Sequence, residues 1–235
     1  VHVVNWPVKK QAPFAFSLPA EVKFYQREQF NLKSLREKIN SSSPDFVYCS
    51  GWMDKDYLAV ARGLKKNIPV VIGLDTQWNG SVRQYIACMA SRFTLHRVFS
   101  HCWVPGQKQK KYALNLGFKN DHIMTGYYSA DVDYFKALGG KSAIAKKINY
   151  PHRFIYAGRY YGFKGVKDLW DAFIQWQNEN NSDWELWCLG AGDVEPVTHA
   201  KIKHVGFVQP ADMGPYIEGG GVFIMPSHFE PWGVV

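Results

Sequence analysis

Several features that commonly reveal a protein class are absent from this 235-residue sequence. No apolar run reaches the roughly 18 residues that a membrane-spanning helix needs, so we expect a soluble chain or one that at most lies on a membrane surface. Internal repeats and low-complexity tracts are also absent. The four cysteines form no CxxC pair, which argues against a zinc site or a disulfide framework and favours a reduced, cytoplasmic compartment. They are Cys49, Cys88, Cys102 and Cys188.

Acidic side chains are the scarcer charge, with 20 Asp and Glu against 28 Lys and Arg, which gives a formal net charge of +8. This excess fits a nucleic acid, an anionic membrane or a phosphorylated small substrate as partner. The densest basic run, 108–111, has the pattern of a solvated helix face, so we do not expect nucleic-acid binding. With 46% hydrophobic residues, the chain is not wholly disordered, and its length predicts one or two domains.

Short apolar runs alternate with stretches of helical periodicity along the whole sequence. The clearest helix is predicted over 164–178, where apolar residues recur at i, i+3, i+4, i+7 and i+8. Asn31 is a candidate N-cap for an earlier helix. This alternation predicts an α/β fold with parallel sheets and ligands at the carboxyl ends of the strands. The predicted strands are 1–6, 46–49, 70–74, 101–104, 154–157, 185–189 and 222–225.

A change of composition over 136–151 separates two such regions. Gly139, Gly140 and a lysine-rich stretch interrupt the apolar rhythm there, and Pro151 precedes a new strand. We therefore predict two Rossmann-like domains, an N-terminal one over 1–138 and a C-terminal one over 139–235.

The segment 154–165 passes from a buried strand through a turn to a helix start. Gly158 permits a sharp turn, and Gly165 is expected to keep the N-terminus of the helix open to a ligand. Arg159 and Lys164 add positive charge beside it, which suits a diphosphate. The alternative is that both are surface residues beside a structural glycine.

A second strand, loop and predicted helix start occupy 221–235. We expect Pro231 in the first helical turn and Gly233 to expose amides there. Glu230 would accept hydrogen bonds from sugar hydroxyls, or would simply complement the helix dipole. An anion site next to an acid that binds hydroxyls is what a nucleotide sugar requires.

These motifs together resemble the donor-binding domain of retaining, family-4 glycosyltransferases of the GT-B fold. The resemblance covers about residues 150–235, and it includes the turn at 189–193 and the stretch 205–208. The N-terminal half is similar to the acceptor domain of that family only in its pattern of strands, with a hinge-like segment at 131–135. The resemblance implies two Rossmann-like domains that face a cleft.

The resemblance also implies roles for individual residues. Arg159 and Lys164 would hold the donor diphosphate beside Gly158 and stabilise its charge as the sugar leaves, and Glu230 would contact the donor sugar. Amides near Trp232 and Gly233 would reach the phosphates. Val208 would lie against the base. No metal and no cofactor are implied, because the diphosphate oxygen can itself take the acceptor proton.

The same family pattern predicts that the sequence is clipped at both ends. The second Glu of the family's motif would fall eight positions after Glu230, beyond residue 235, and the family's first strand and helix have no counterpart before Val1.

In the N-terminal half, the resemblance makes Asp75 a candidate catalytic residue, because it follows the strand 70–74 where the family often has a His. It would orient an acceptor hydroxyl or the donor sugar, or it would only cap the turn before the next helix, and Trp78 would stack on a sugar. We interpret the apolar face within 80–100 as core, with membrane attachment as the alternative. No metal site is predicted, since His101 and Cys102 would point to opposite faces of a strand.

The sequence thus predicts an enzyme, a retaining hexosyltransferase that uses a nucleotide sugar and an acceptor hydroxyl on a sugar or a lipid-linked molecule. Its location would be the cytoplasm, with peripheral contact at the inner face of the membrane left open. A non-catalytic module that binds nucleotides or phosphorylated ligands is an alternative on the same fold. A GT-B epimerase or phosphorylase is the other.

Overall fold

A computed structural model describes residues 1–8, 13–15, 19–126, 128–139 and 146–233. The chain divides into two compact units. Unit 1 comprises Val1–Pro7 and Pro19–Ser129, and unit 2 comprises Ala130–Gly233 together with the described residues of the segment 8–18. The domain boundary predicted between residues 138 and 139 falls inside unit 2, at the end of a helix, and stays a prediction.

Unit 1 contains a four-stranded parallel sheet in the order β3-β4-β5-β6 and a separate parallel pair, β1-β2. The strands are β1 His2–Asn5, β2 Lys23–Gln26, β3 Val47–Cys49, β4 Val70–Gly73, β5 His101–Val104 and β6 Ile123–Thr125. Four helices accompany them, namely α1 Leu32–Ser41, α2 Lys55–Leu64, α3 Val82–Ser91 and α4 Gln107–Asn115. Asn31 caps α1 in a capping box with Ser34, as its sequence position indicated.

The core of unit 1 lies around β4, whose four residues are all buried. Ile72 pairs in register with Cys102 on β5, and both side chains are almost fully buried. Tyr112 and Ala113 of α4 pack into the same core. A strand buried on both faces requires helices on both sides, which is the layered arrangement expected of an α/β fold.

Unit 2 contains a second four-stranded parallel sheet in the order β10-β7-β8-β9. The strands are β7 Arg153–Ala157, β8 Glu185–Leu189, β9 Ile202–Gly206 and β10 Val222–Phe223. The helices are α5 Val132–Gly139, α6 Val166–Asn180 and α7 Gly214–Gly219. The two parallel sheets with their helices confirm the predicted α/β class.

Helix α6 covers the sheet of unit 2 through the apolar stripe that predicted it. Val166, Leu169, Trp170 and Phe173 are buried, and the indole N–H of Trp170 points at Cys188 Sγ on β8, 3.3 Å away. The helix begins two residues later than the periodicity indicated, because Gly162–Lys164 form a turn of 3-10 helix before it.

The apolar face predicted within 80–100 is not core, so that interpretation was wrong. Helix α3 instead turns Gln84 and Ser91 inward and leaves Tyr85, Ile86 and Met89 exposed. The reason is local: the buried carboxamide of Gln84 donates to the carbonyl of Gln77 at 2.6 Å and accepts from the amides at 79 and 80. These bonds to the preceding turn fix the rotation of the helix.

Helices in the described part of the chain are all too short or too polar to cross a lipid bilayer.

Candidate functional site

The candidate site is built where β7 ends, and Tyr160 anchors the loop that follows. The Tyr160 side chain is buried, and its hydroxyl lies 3.1 Å from both the carbonyl of Cys188 and Nδ1 of His204. Its backbone amide donates to Ala191, and its carbonyl accepts from Asp193. Residues 159 and 161–164 on either side of this anchor are therefore held at the carboxyl edge of the sheet, where parallel sheets bind ligands.

Gly165 joins this loop to the segment after β10. It has φ +64°, and a Cβ built on it would lie 2.1 Å from the carbonyl oxygen of Pro226. The amide of His228 donates to the carbonyl of Phe163 at 3.0 Å. Gly165 was expected to leave the helix N-terminus open, but its role here is to let the two motifs pack backbone against backbone.

Lys164 and Glu230 meet at this junction. Lys164 Nζ lies 2.5 Å from Glu230 Oε2, and the two side chains are only 15% and 21% exposed. The hydroxyl of Ser227 also donates to Oε2, at 3.2 Å. Burial alone would raise the pKa of Glu230, but the Lys164 ammonium, the Ser227 hydroxyl and the amide of Gly233 outweigh it, so this pKa is lowered. Glu230 is thus an ionised carboxylate within reach of a cation.

Arg159 occupies the outer side of the same loop. Its side chain is exposed, and the guanidinium lies 5.0 Å from the centre of the Tyr161 ring. Its carbonyl accepts a hydrogen bond from the Tyr156 hydroxyl, whose pKa burial raises to about 12. Gly158 connects the loop to β7, and its amide donates to the carbonyl of Leu189 at 2.9 Å. An aromatic ring under a solvent-facing guanidinium orients it without neutralising it.

Beside these cations is an open depression of about 430 Å³, lined by Tyr161, Gly162, Phe163 and Asp193. A volume of this order can hold a substantial part of a small ligand.

The segment 230–233 differs from its prediction. Pro231 and Trp232 form a bend, and Gly233 has φ +72°, which lies outside the right-handed helical region. The helix expected to start at Pro231 is therefore not found in the chain as described up to Gly233. Trp232 is 44% exposed, and the amide of Gly233 donates a hydrogen bond to the Glu230 carboxylate.

Val208 lines a different cavity of about 360 Å³, after β9. The other lining residues are Val205, Phe207, Gln209, Asp212, Pro215 and Tyr216. The segment 13–15 of the same unit contacts this region: Gln209 Nε2 donates to the carbonyl of Pro13 at 2.8 Å, and the ring of Phe14 packs edge-on against Phe207.

Asp75 belongs to unit 1, where it is exposed immediately beyond β4. The N-cap of the following helix α3 is Ser81, so Asp75 does not cap that helix. Trp78 is half-buried against the core of unit 1, and its ring contacts those of Tyr85 and Tyr112, with centroids 5.1 and 5.6 Å away.

Ser227 and Tyr160 are site residues that the sequence analysis did not single out. Ser227 carries a weak signal, because it lies three residues before Glu230 in a loop, where a short hydroxyl can reach back to a carboxylate. Tyr160 carries none, since its role depends on partners at 188, 191 and 204.

No cluster of three or more His, Cys, Asp or Glu with the geometry of a metal site occurs in the ranges that the structure describes. The predictions that the site needs neither a metal nor a cofactor remain predictions.

Comparison with known proteins gives a family match for the C-terminal region. Residues 151–235 match the family model described as glycosyl transferases group 1. The curated proteins contain no match to the sequence.

Solved structures with the same architecture include the Anabaena protein HepE in complex with UDP and glucose, at 15% identity and a TM-score of 0.58. HepE in complex with UDP has 15% identity and a TM-score of 0.59. A glycosyltransferase from Rickettsia africae has 14% identity and a TM-score of 0.60. Each alignment covers 88% of this chain and 60% of the other, so the chain spans about 60% of the length of these proteins.

At such low identities the structural likeness shows only the fold. The family match is a separate, sequence-based similarity, and it is confined to residues 151–235. The protein therefore has the GT-B-like fold of these solved structures, and its residues 151–235 match the family model of glycosyl transferases group 1, in agreement with the suspected resemblance.

Proposed function

We propose that this protein is a glycosyltransferase that moves a hexose-type sugar from a nucleotide-diphosphate sugar to an acceptor hydroxyl, with retention of configuration. The observation that carries the proposal is the junction of Lys164 and Glu230 beside the exposed Arg159, at the carboxyl edge of the sheet in unit 2. It combines cations for a diphosphate with an ionised acid for sugar hydroxyls.

In the proposed reaction, the bond between the anomeric carbon and the diphosphate oxygen breaks while the acceptor oxygen forms the new glycosidic bond. Negative charge develops on the departing diphosphate, where Arg159 and Lys164 stabilise it. The acceptor proton passes to that diphosphate, so the protein needs no separate base. Neither a metal nor a cofactor enters this scheme.

The ion pair suggests how the donor would be bound. An ammonium has three N–H donors, so Lys164 can keep Glu230 as one partner and offer another N–H to a phosphate. Glu230 has further lone pairs for sugar hydroxyls, and Ser227 and Gly233 hold it in place. The pair would therefore stay assembled when the donor binds, which avoids reorganisation.

The proposal also assigns positions to the nucleotide base, the phosphates and the acceptor. The cavity at Val208 would receive the base, and the amides at Trp232 and Gly233 would approach the phosphates. Asp75 would orient the acceptor, a sugar or a lipid-linked molecule. Because HepE was solved with UDP and with UDP-glucose, we would test UDP-glucose first. The protein would act in the cytoplasm.

The test is calorimetric titration with UDP, GDP and ADP, followed by transfer assays with the matching nucleotide sugars. We expect Arg159→Ala and Lys164→Ala each to weaken nucleotide binding at least tenfold, since each removes a charged hydrogen bond to phosphate. Lys167→Ala, which removes an exposed lysine on α6, is the matched control and should bind normally.

Undiminished transfer by both alanine variants would refute the diphosphate assignment. Nucleotide binding without transfer or hydrolysis of any nucleotide sugar would instead favour a non-catalytic binding module.

A further inference from the structure

A group of large apolar side chains forms a surface patch on unit 1. The α3 patch consists of Val82, Tyr85, Ile86, Met89 and Phe93, which are between 56% and 80% exposed. The first four follow the spacing i, i+3, i+4 and i+7, so they share one face of α3, and Phe93 extends that face beyond the end of the helix. Contiguous apolar surface of this kind marks an interaction site rather than ordinary surface.

The opposite side of α3 holds the helix in the fold. Gln84 and Ser91 are buried there, and Ala87 and Cys88 pack against the core of unit 1. The exposed patch is therefore not a misplaced core face that a small rotation could bury. Any such rotation would break the hydrogen bonds of Gln84 to the preceding turn.

The sequence segment that contains the α3 patch carries charge of one sign. Residues 76–120 contain no Asp or Glu, and they contain seven of the chain's 28 Lys and Arg, so seven of the eight net positive charges come from this segment. The seven are Arg83, Arg92, Arg97, Lys108, Lys110, Lys111 and Lys119.

The basic residues lie on neighbouring elements. Arg83 and Arg92 flank the α3 patch, and both are exposed. Helix α4, which carries the lysines at 108, 110 and 111, is linked to α3 through Trp78, whose ring contacts Tyr85 on α3 and Tyr112 on α4. The apolar side chains of α3 are thus flanked by arginines on the same helix, and the lysines lie on the next helix along the chain.

We propose that the α3 patch docks this protein on an anionic lipid surface. The apolar side chains would enter the boundary between headgroups and acyl chains, and the surrounding arginines and lysines would contact the headgroups. Helix α3 has ten residues and spans about 15 Å, so it lies in the plane of the interface and does not cross the bilayer.

The positive charge of the segment favours a lipid surface over a second copy of the chain as the partner of the α3 patch. A symmetric dimer through the α3 patch would bring two segments of charge +7 against each other, with no acidic residue of 76–120 to offset them. An anionic bilayer attracts the same segment. The α3 patch therefore fits a lipid surface better than its own copy.

The experiment is co-sedimentation of the full chain with vesicles of phosphatidylcholine alone or with 30% phosphatidylglycerol. We expect binding to the anionic vesicles only. The double substitution Ile86→Gln/Met89→Gln should weaken it at least tenfold. Arg83→Gln/Arg92→Gln/Arg97→Gln should weaken it at least tenfold too, since each basic residue near such a surface contributes about fivefold.

The matched control is Met53→Gln/Ile148→Gln, which removes two exposed apolar side chains outside the α3 patch. It should bind like the unchanged protein. Circular dichroism and nucleotide titration of every variant check that the fold and the donor site are intact, so this proposal can fail without affecting the proposed function.

Absence of binding to anionic vesicles, or equal binding by the α3 patch variants and the control, would overturn the proposal. A dimer in solution that Ile86→Gln/Met89→Gln dissociates, without vesicle binding, would assign the surface to a second copy instead.

Discussion

Lys164 on the loop after β7 and Glu230 in the segment after β10 form an ion pair with an N–O distance of 2.5 Å. The two residues are 66 positions apart in sequence. Their side chains are mostly buried, and the Ser227 hydroxyl donates to the same carboxylate oxygen that Lys164 contacts. The ion pair therefore connects the segments that follow β7 and β10, and it is the centre of the proposed donor site.

The first prediction concerns how the contribution of this ion pair to folding stability depends on pH. The pKa of Glu230 is lower in the folded protein than in the unfolded chain. The ionised carboxylate therefore stabilises the fold fully above the pKa of an unfolded Glu, about 4.3. This stabilisation is lost as the pH falls through the lower pKa of the folded state. Lys164→Met should reduce the free energy of unfolding at pH 7 by about 1–3 kcal/mol and flatten its pH dependence below pH 5. Urea unfolding between pH 3 and 7 measures both.

Lys167→Met is the control for that series and should keep the original pH dependence. If the pH profiles of Lys164→Met and the unchanged protein are parallel throughout, Glu230 does not owe its low pKa to Lys164.

The second prediction concerns Gly165. A methyl group there would lie 2.1 Å from the Pro226 carbonyl oxygen, at φ +64°. Gly165→Ala should therefore destabilise unit 2 by about 1–3 kcal/mol or more and weaken nucleotide binding as well, because the two motifs are forced apart. Gly162→Ala is the control, since a Cβ at Gly162 meets no atom within 4 Å. Equal unfolding midpoints for the two variants would contradict the close approach.

The third prediction concerns the buried Arg27 of unit 1. Its Nε lies 3.0 Å from Asp54 and its Nη2 lies 2.5 Å from Asp56. Burial disfavours its charge, but these two carboxylates raise the pKa of Arg27 above its ordinary value. Arg27→Met would leave the buried Asp54 carboxylate without a cation and should destabilise the protein by about 3 kcal/mol in thermal or urea unfolding.

The exposed Arg62 provides the comparison, because Arg62→Met should change the free energy of unfolding by less than about 0.5 kcal/mol. A similarly small effect of Arg27→Met would show that the ion pairs add little beyond packing.

The fourth prediction uses the free cysteines as probes of the fold. Burial raises the pKa of Cys49 and Cys188 to about 11 and that of Cys102 to about 12. Burial also raises the pKa of Cys88 on α3, but this thiol is only half-buried and so is the most accessible of the four. A thiol reagent at pH 8 should label Cys88 first, because thiolate content and access both control the rate.

The three buried cysteines should react only as fast as the protein opens. Mass spectrometry of a labelling time course distinguishes the four sites. Rapid labelling of Cys102 under native conditions would contradict its place in the core of unit 1.

Vesicle binding, tested above, is a separate prediction about the surface of α3 and does not depend on any of these four.

Much of the fold followed from local pattern. The stripe that includes Leu169 and Trp170 predicted α6, because apolar residues at helical spacing indicate a helix with one buried face. The short continuous apolar run over 70–74 predicted β4, because such a run is typical of a strand buried on both faces. The strands β2, β6 and β9 were missed, since each mixes polar and apolar residues and gains its identity from a neighbouring strand.

The candidate site was only partly predictable. Arg159, Lys164 and Glu230 stood out because charged groups beside glycines at strand ends suit a diphosphate and a sugar. That Lys164 pairs with Glu230 and that Gly165 meets Pro226 could not be read from the sequence, because these contacts join residues more than 60 positions apart. Asp75 remains a prediction, placed after β4 in unit 1.

The amphipathic pattern of α3 shows the same division. The order of residues determined that one face is apolar and that its surroundings are basic. Only the tertiary structure decided which way that face points, because the hydrogen bonds of Gln84 to the turn before it, and the packing of Ala87 and Cys88, set the rotation of the helix. Periodicity specifies a face, whereas the contacts of the opposite face decide whether it meets the core or the solvent.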